Sequence, residues 1–341
     1  MGYEPKAEDF RFIERNGEDN KDSGSYGETL YWRSVYKKFV SKKINVAALV
    51  TLLLLVILAI IGPWLSGYKF NAQQLEYPNL TPRVPVIEKL GIFDGKSVLN
   101  KTTGREVSNP YIEQGIAQYH IFGTDALGRD VFCRCFRGLR ISLFVAVVST
   151  LVNVLIGLIY GMISGYFGGA VDMCMQRVVD IWGSIPQMVV LTLLVLILKP
   201  GILTLIVAFM LTGWIGMSQI ARAEVLRMRE SEFVLASRTL GAGSFFILFR
   251  NILPNITGPV ITQIMVTIPS AIFMESTLSV MGLGISSGEV SLGLMIQGGL
   301  LNFFLHPHRL VPPVAIMVLT MVCCNRLGDA LRTAMDPGEV I

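Results

Sequence analysis

Histidine, cysteine and charge are all scarce in this chain, and each scarcity closes off a class of function. The 341 residues include three histidines, His120, His306 and His308. None stands with an evident nucleophile, so acid–base or nucleophilic catalysis has no visible constellation. Five cysteines are present. Cys133 and Cys135 are too close to each other for an easy disulfide, Cys323 and Cys324 lie in an apolar stretch, and no CxxC pair has metal-site spacing. No G-x4-G-K-[ST] loop occurs, so the chain has no P-loop cradle for ATP. No catalytic residue, metal ligand or resident cofactor is therefore assigned. Only 16% of residues are charged and the net charge is +4, too little to argue for nucleic acid as a partner.

Apolar residues are what the chain has in quantity: they make up 52% of it, a balance that suits an integral membrane protein. Residues 1–30 are polar, of mixed charge and poor in large apolar side chains, and read as a flexible tail. The first apolar run begins at Ile44, so no signal-peptide core is expected. A short helix over 30–40 leads in, with Lys37, Lys38, Lys42 and Lys43 at its end. The uncharged run 44–65 is long enough to cross a hydrocarbon core of about 30 Å. The lysines before it predict a cytoplasmic N-terminus for 1–43.

Residues 66–138 then form an irregular extracytoplasmic lobe punctuated by Pro78, Pro82, Pro85 and Pro110. Five further spans are expected within 139–327. The second, 139–163, carries Gly157, Gly161 and then Gly165 at four-residue spacing, a face that lets helices approach closely. Asp172, Arg177 and Asp180 follow, with Arg177 and Asp180 spaced to pair at the inner boundary. Ser184-Ile185-Pro186 kinks the third span, which ends near Leu198. The fourth is 202–220, ending in Arg222, Arg227 and Arg229, and the fifth is 255–279. The sixth, 310–324, must borrow flanking residues. Short outer segments carry only Lys199 and Arg309, against many basic residues on the inner side. Arg326 and Arg332 place the tail 328–341 in the cytoplasm. The fold class is all-α and polytopic, with six membrane helices.

Between the fourth and fifth spans lies a half-apolar stretch, 231–255. Ser231 is a candidate N-cap with Glu232 in the first turn. Phe233, Ala236 and Leu240 share one helical face. Gly241 stands where a helix end takes a left-handed residue. Ala242-Gly243 continue the break, Ser244 caps a second helix through Phe249, and Pro254 closes it. On pattern alone this is two short helices joined by a glycine turn, equally readable as a hairpin lying on lipid headgroups. Glu275 is the only acid well inside an apolar stretch. It reads either as functional by default or as an outer-interface residue bonded to hydroxyls such as Ser276.

These motifs resemble a known family. Glu232-x3-Ala236-x4-Gly241 followed by Ile252-Leu253-Pro254 is similar to the EAA loop of ABC-importer permeases, with Leu235 and Ser237 departing from the commonest residues. Gly123-Thr124-Asp125-x2-Gly128-Arg129-Asp130-Val131 resembles the GTDxxGRDV signature of the dipeptide and oligopeptide branch. Asn325-x2-Gly328-Asp329 with Arg332, Asp336 and Pro337 resembles its terminus, whereas Leu292-Gly293 departs from its usual Trp-Gly. Resemblance to a family that often carries Glu before LSxxGLG favours the outer-interface reading of Glu275. The resemblance covers roughly 35–337. It implies a type I ABC-importer permease fold and the C-type permease subunit of a peptide importer, oligopeptide favoured over dipeptide, in a prokaryotic cell membrane. It implies as partners a homologous second permease, two cytoplasmic ABC ATPases carrying ATP and Mg, an extracytoplasmic peptide-binding protein, and surrounding lipid. It also implies that the loop 221–254 couples to the ATPase, through Glu232, Phe233, Ala236, Ser237, Leu240, Gly241, Ala242 and Pro254. Nickel and glutathione importers of the same branch remain alternatives. So does an ATP-independent channel or secondary carrier, although internal repeats and broken helices with midplane ion sites are not evident.

Overall fold

The computed structural model describes residues 33–85, 88, 93–98, 107–113, 115–285 and 288–335. The polar tail 1–30, the start of the lead-in helix and Asp336-Pro337 lie outside them. Helix α1, residues 33–41, leads into α2, Lys43–Leu65. A lobe follows, holding a two-stranded antiparallel ribbon of β1 (Ser97–Val98) and β2 (Val107–Ser108) and the short α3 (Pro110–Glu113). The long helix α4 is Val131–Phe167, followed by α5 (Gly169–Gly183), α6 (Gln187–Leu198) and α7 (Ile202–Met228). The hairpin consists of α8 (Glu232–Thr239), α9 (Ser244–Phe246), a π-helical turn Ile247–Ile252 and α10 (Leu253–Asn255). Helices α11 (Thr257–Val280), α12 (Leu292–Leu300) and α13 (Val311–Met335) complete the fold.

Among the described residues, five segments are long and apolar enough to cross a membrane, and α5 with α6, bent by 72°, makes a sixth if counted as one broken span. The bend falls at Ser184–Pro186, where proline offers no backbone donor and helix cannot continue. Trp182 Nε1 donates to the Leu211 carbonyl at 2.7 Å, and Gln187 Nε2 to Thr212 Oγ1 at 3.1 Å, which pins both sides of the break to α7.

The central pair is α4 and α7. Gly157, Gly161 and Gly165 line the seam, and a Cβ at each would fall against the α7 backbone at Trp214, Ser218 or Arg222. The small-residue spacing is thus spent on one helix–helix contact, where backbone proximity replaces side-chain bulk. Arg222 closes the seam at the hairpin end with a fork onto Asp172, both contacts 2.6 Å, and Ser164 Oγ donates to the same carboxylate at 2.5 Å. That triad, spanning three helices, is the strong polar contact there. The pair expected from spacing, Arg177 with Asp180, is 3.8 Å apart and largely exposed.

Several boundaries differ from the sequence reading. Helix α4 starts at Val131 rather than 139, because Asp130 caps it and Cys135, Phe136 and Leu139 are buried against α2 and α12. The lobe therefore ends at 130. Helix α7 continues past Ile220 to Met228, since Ala221 and Val225 pack inward. Residues 328–335 continue α13 instead of forming a tail, with Ala334 and Met335 buried beside Val35 of α1.

Candidate functional site

The hairpin is anchored on one face and bare on the other. Val234 is fully buried, in one cluster with Tyr166 of α4, Val225 of α7, and Ile247, Leu248, Ile252 and Ile256 beyond the turn. Arg238 lies over the Tyr166 ring, 4.8 Å from its centre. Asn251 Nδ2 donates to Ser237 Oγ at 2.6 Å and that hydroxyl donates to the Phe233 carbonyl at 2.9 Å, tying the two arms together. Phe233, Leu235, Leu240, Phe245, Phe246 and Phe249 are exposed. Leu240, at the tip, is 88% exposed. Glu232, Ala236, Gly241 and Pro254 are exposed as well, and Ser237 and Ala242 are half-buried.

The turn has a closed hydrogen-bond pattern. Gly241 N–H donates to the Arg238 carbonyl and Ala242 N–H to the Ser237 carbonyl, each at 3.0 Å. With Gly241 at φ 79°, this is the 5→2 and 6→1 pair that satisfies the orphan carbonyls of a helix end. Two local expectations change. Ser231 has the extended backbone of an N-cap, but its hydroxyl donates back to the Met228 carbonyl at 2.6 Å and caps nothing. Gly243, not Ser244, occupies the cap position of the second arm. That arm also runs past Phe249 to Asn255. Pro254 lacks the N–H that Arg250 would need, and a π-helical turn takes up the mismatch. The chain turns at Ile256, φ −98° and ψ 4°, into α11.

At the opposite end, the signature residues come together in one turn over the start of α4. Asp125 Oδ1 accepts from the backbone N–H of Leu127 (2.9 Å) and Arg129 (3.0 Å), and its Oδ2 accepts from Arg129 Nε at 2.7 Å. Asp130 accepts from Cys133 N at 2.7 Å and, through its other oxygen, lies 2.8 Å from His120 Nδ1. Thr124 Oγ1 donates to the Tyr77 carbonyl and accepts from Leu80 N–H, both at 2.8 Å. Gly123 and Gly128 have φ 78° and 70°, and a Cβ at either would strike the backbone of Leu80 or Gln74. The His308 ring reaches the Thr124 carbonyl at 3.2 Å, so the turn also meets the start of α13. Nearby in the lobe, burial pushes the Tyr111 phenol up, and its hydroxyl donates to the Thr81 carbonyl at 2.9 Å. The turn works as a staple: every named polar side chain in it has an internal partner.

Glu275 is fully buried. Its two oxygens accept from Ser142 Oγ of α4 and Ser279 Oγ, each at 2.9 Å. The hydroxyls differ from the Ser276 expected, whose Oγ has no partner among the described residues. Ser142 also accepts from Leu292 N–H at 3.3 Å, so the carboxyl ties α4, α11 and α12. The Asp172–Arg222 fork and the Ser142–Glu275 bond join residues 50 and 133 positions apart, and neither has a local sequence signal. Among the described residues no group of His, Cys, Asp and Glu is arranged to hold a metal ion.

Comparisons with known proteins show the family. Residues 153–340 match the family described as the binding-protein-dependent transport system inner membrane component. Residues 31–82 match the N-terminal TM domain of oligopeptide transport permease C. The chain is 38% identical to the dipeptide transport system permease protein DppC of Bacillus subtilis, over 94% of this chain and 91% of that one. It is 35% identical to the oligopeptide transport system permease protein OppC of the same organism, over 90% and 89% of the two chains. Against OppC of Escherichia coli K12 the identity is 34%, over 90% and 91%. Among solved structures, a chain of the MetNI methionine ABC transporter in an inward-facing conformation matches with a TM-score of 0.50, at 18% identity, covering 60% of this chain and 96% of that one. That last likeness is one of fold.

Proposed function

This chain belongs to the family of binding-protein-dependent transport system inner membrane components, as a permease subunit of a peptide ABC importer, and on that premise we propose that its 231–255 hairpin is where it couples to an ATPase. One observation carries the reading: the hairpin buries Val234 and Ile247 into the helix bundle while turning Phe233, Leu240, Phe245 and Phe249 outward. A partly apolar knob rigidly held at one end of a bundle suits a protein groove, with Glu232 at its rim. Two ABC ATPases binding ATP and Mg, a homologous second permease and an extracytoplasmic peptide-binding protein complete the importer. In this reading the hairpin end and both termini face the cytoplasm of a prokaryotic cell. ATP-driven closure of the ATPases rocks the hairpins and alternates access to the peptide pathway. The lobe between α2 and α4 favours oligopeptides over dipeptides as cargo, which competition of labelled dipeptide and hexapeptide uptake would decide.

The test is Gly241→Leu. A Cβ at Gly241 meets nothing within 4 Å in this chain. The internal cost is then the left-handed backbone alone, about 1 kcal/mol, too small to unfold the bundle. Bulk at the tip should nonetheless detach the ATPase, or uncouple hydrolysis from peptide uptake. Glu232→Lys should weaken docking by reversing charge at the helix start. Normal ATPase retention together with normal uptake in Gly241→Leu would overturn the coupling assignment. In that event the hairpin is a membrane-surface element.

A further inference from the structure

A small basic cavity lies between the lead-in helix α1, the start of α2 and the last three turns of α13, at the hairpin end of the bundle. It measures about 150 Å3, and Lys38, Lys42, Asn45, Arg326, Asp329 and Thr333 line it. Three cations face one carboxylate. None of Lys38, Lys42, Arg326 and Asp329 joins an ion pair among the described residues. Two buried polar atoms there also lack partners. Arg326 Nε is a donor with no acceptor, and Asn45 Oδ1 is an acceptor with no donor. Asn45 is 3% exposed, and its amide nitrogen is committed to the Phe39 carbonyl at 3.1 Å, so the orphan oxygen is fixed in place. A buried donor and acceptor left unsatisfied beside excess positive charge favour a ligand that brings both an anion and a hydroxyl.

We propose that this cavity binds the headgroup of an anionic glycerophospholipid, with its phosphate on Arg326, Lys38 and Lys42 and a headgroup hydroxyl donating to Asn45 Oδ1. The surroundings favour a lipid over free phosphate. On α1, Tyr36 and Val40 are exposed apolar side chains beside the lysines, the pattern of a helix lying in the membrane interface. On α13, Val322 and Val318 are exposed one and two turns from Arg326 on the same face, where acyl chains would run. The inference depends on the chain lying in a bilayer, not on which protein docks at the hairpin. Its function is to fix α1 against α13 in one leaflet.

The experiment uses the full chain purified in a neutral detergent. Its thermal midpoint is followed while phosphatidylglycerol micelles, phosphatidylcholine micelles of the same chain length, or inorganic phosphate are titrated in. Phosphatidylglycerol should raise the midpoint saturably, and the other two should not. Lys42→Gln and Arg326→Gln should each raise the half-saturating concentration by about tenfold, as loss of a charge-assisted bond implies. Lys43→Gln, which removes the same charge outside the cavity lining, should leave it unchanged. If Arg326→Gln fails to fold, the exposed Lys42 variant decides alone. The proposal falls if phosphatidylcholine matches phosphatidylglycerol, if inorganic phosphate reproduces the shift, or if Lys43→Gln is as damaging as Lys42→Gln.

Discussion

Gly161→Ala and Gly216→Ala make one chemical change in the two helices of the central pair, and they should move stability in opposite directions. Each gains about 1 kcal/mol from the better helix propensity of alanine. At Gly161 of α4 the new methyl falls on the Ser218 carbonyl oxygen of α7, 2.7 Å from Ala221 Cβ and 2.9 Å from the Arg222 nitrogen. Two of those neighbours are backbone, so relief requires parting the helices. Overpacking of this kind costs about 1–3 kcal/mol, and a clash against backbone belongs at the upper end. The net effect is a loss of about 2 kcal/mol. At Gly216, on the outer face of α7, the nearest atom is Gln263 Nε2 at 3.7 Å, an ordinary contact. Nothing there opposes the propensity gain. Thermal unfolding of the full chain in one detergent, followed by fluorescence of its four tryptophans, measures both variants against the parent. Equal midpoints for the two variants, or a lower one for Gly216→Ala, would show that the seam does not hold the pair together.

Two further predictions concern the buried acid and the orientation. Glu275→Gln keeps an acceptor for one serine and offers a donor that the other hydroxyl can accept by rotating, so it should cost about 1 kcal/mol and leave assembly and uptake near normal. Loss of uptake from a normally assembled complex would show that the carboxyl has a role beyond bonding helices. In a Cys174→Ser background, which removes the exposed native thiol, a cysteine at Gln118 in the lobe should react with a membrane-impermeant maleimide on whole cells and one at Gly243 should not. The reverse pattern would invert the bundle and remove the coupling reading with it.

What the sequence made legible was local. Gly241 was readable because a helix end needs one positive-φ residue there, and it has φ 79°. The stripe of Gly157, Gly161 and Gly165 was readable as a close-packing face, although its partner, α7, was not. The break at Pro186 followed from a missing donor, but its 72° angle depends on tertiary contacts to Leu211 and Thr212. The signature 123–131 was readable as a motif from its residues in order, whereas the contact from His308 to Thr124 spans 184 positions and has no local trace. Polar pairs were legible only where they are local: Arg177 and Asp180 do pair, at 3.8 Å on an exposed face. Spacing nominated Arg177 for Asp180, but a bidentate fork from Arg222 to Asp172 across two helices is geometrically far better. Helix ends at 131, 228 and 335 were misplaced because hydropathy marks where the oil stops, while burial of residues such as Cys135, Val225 and Ala334 decides where the helix stops.

The packing also decides which helices a docked hairpin would move. Val234 is locked among Tyr166, Val225, Ile247 and Ile252, so a push on α8 meets side chains of α4 and α7 that have no room to slide. Those two helices are held at backbone distance along the glycine seam and joined through Asp172 of α5, which takes Arg222 of α7 and Ser164 of α4, and close-packed interiors transmit displacement rather than absorb it. At the entry to α11, Ile256 leaves helical geometry after the π-helical turn. On the coupling reading, then, ATPase closure drives α4 and α7 as one body, and Ile256 and Val260, buried in the same cluster, carry the push into the start of α11. Glu275 lies near the far end of α11 and bonds to α4 through Ser142, so α4 and α11 meet again beside α12. That gives the buried carboxyl a mechanical reason to be there without requiring it to carry a proton or an ion.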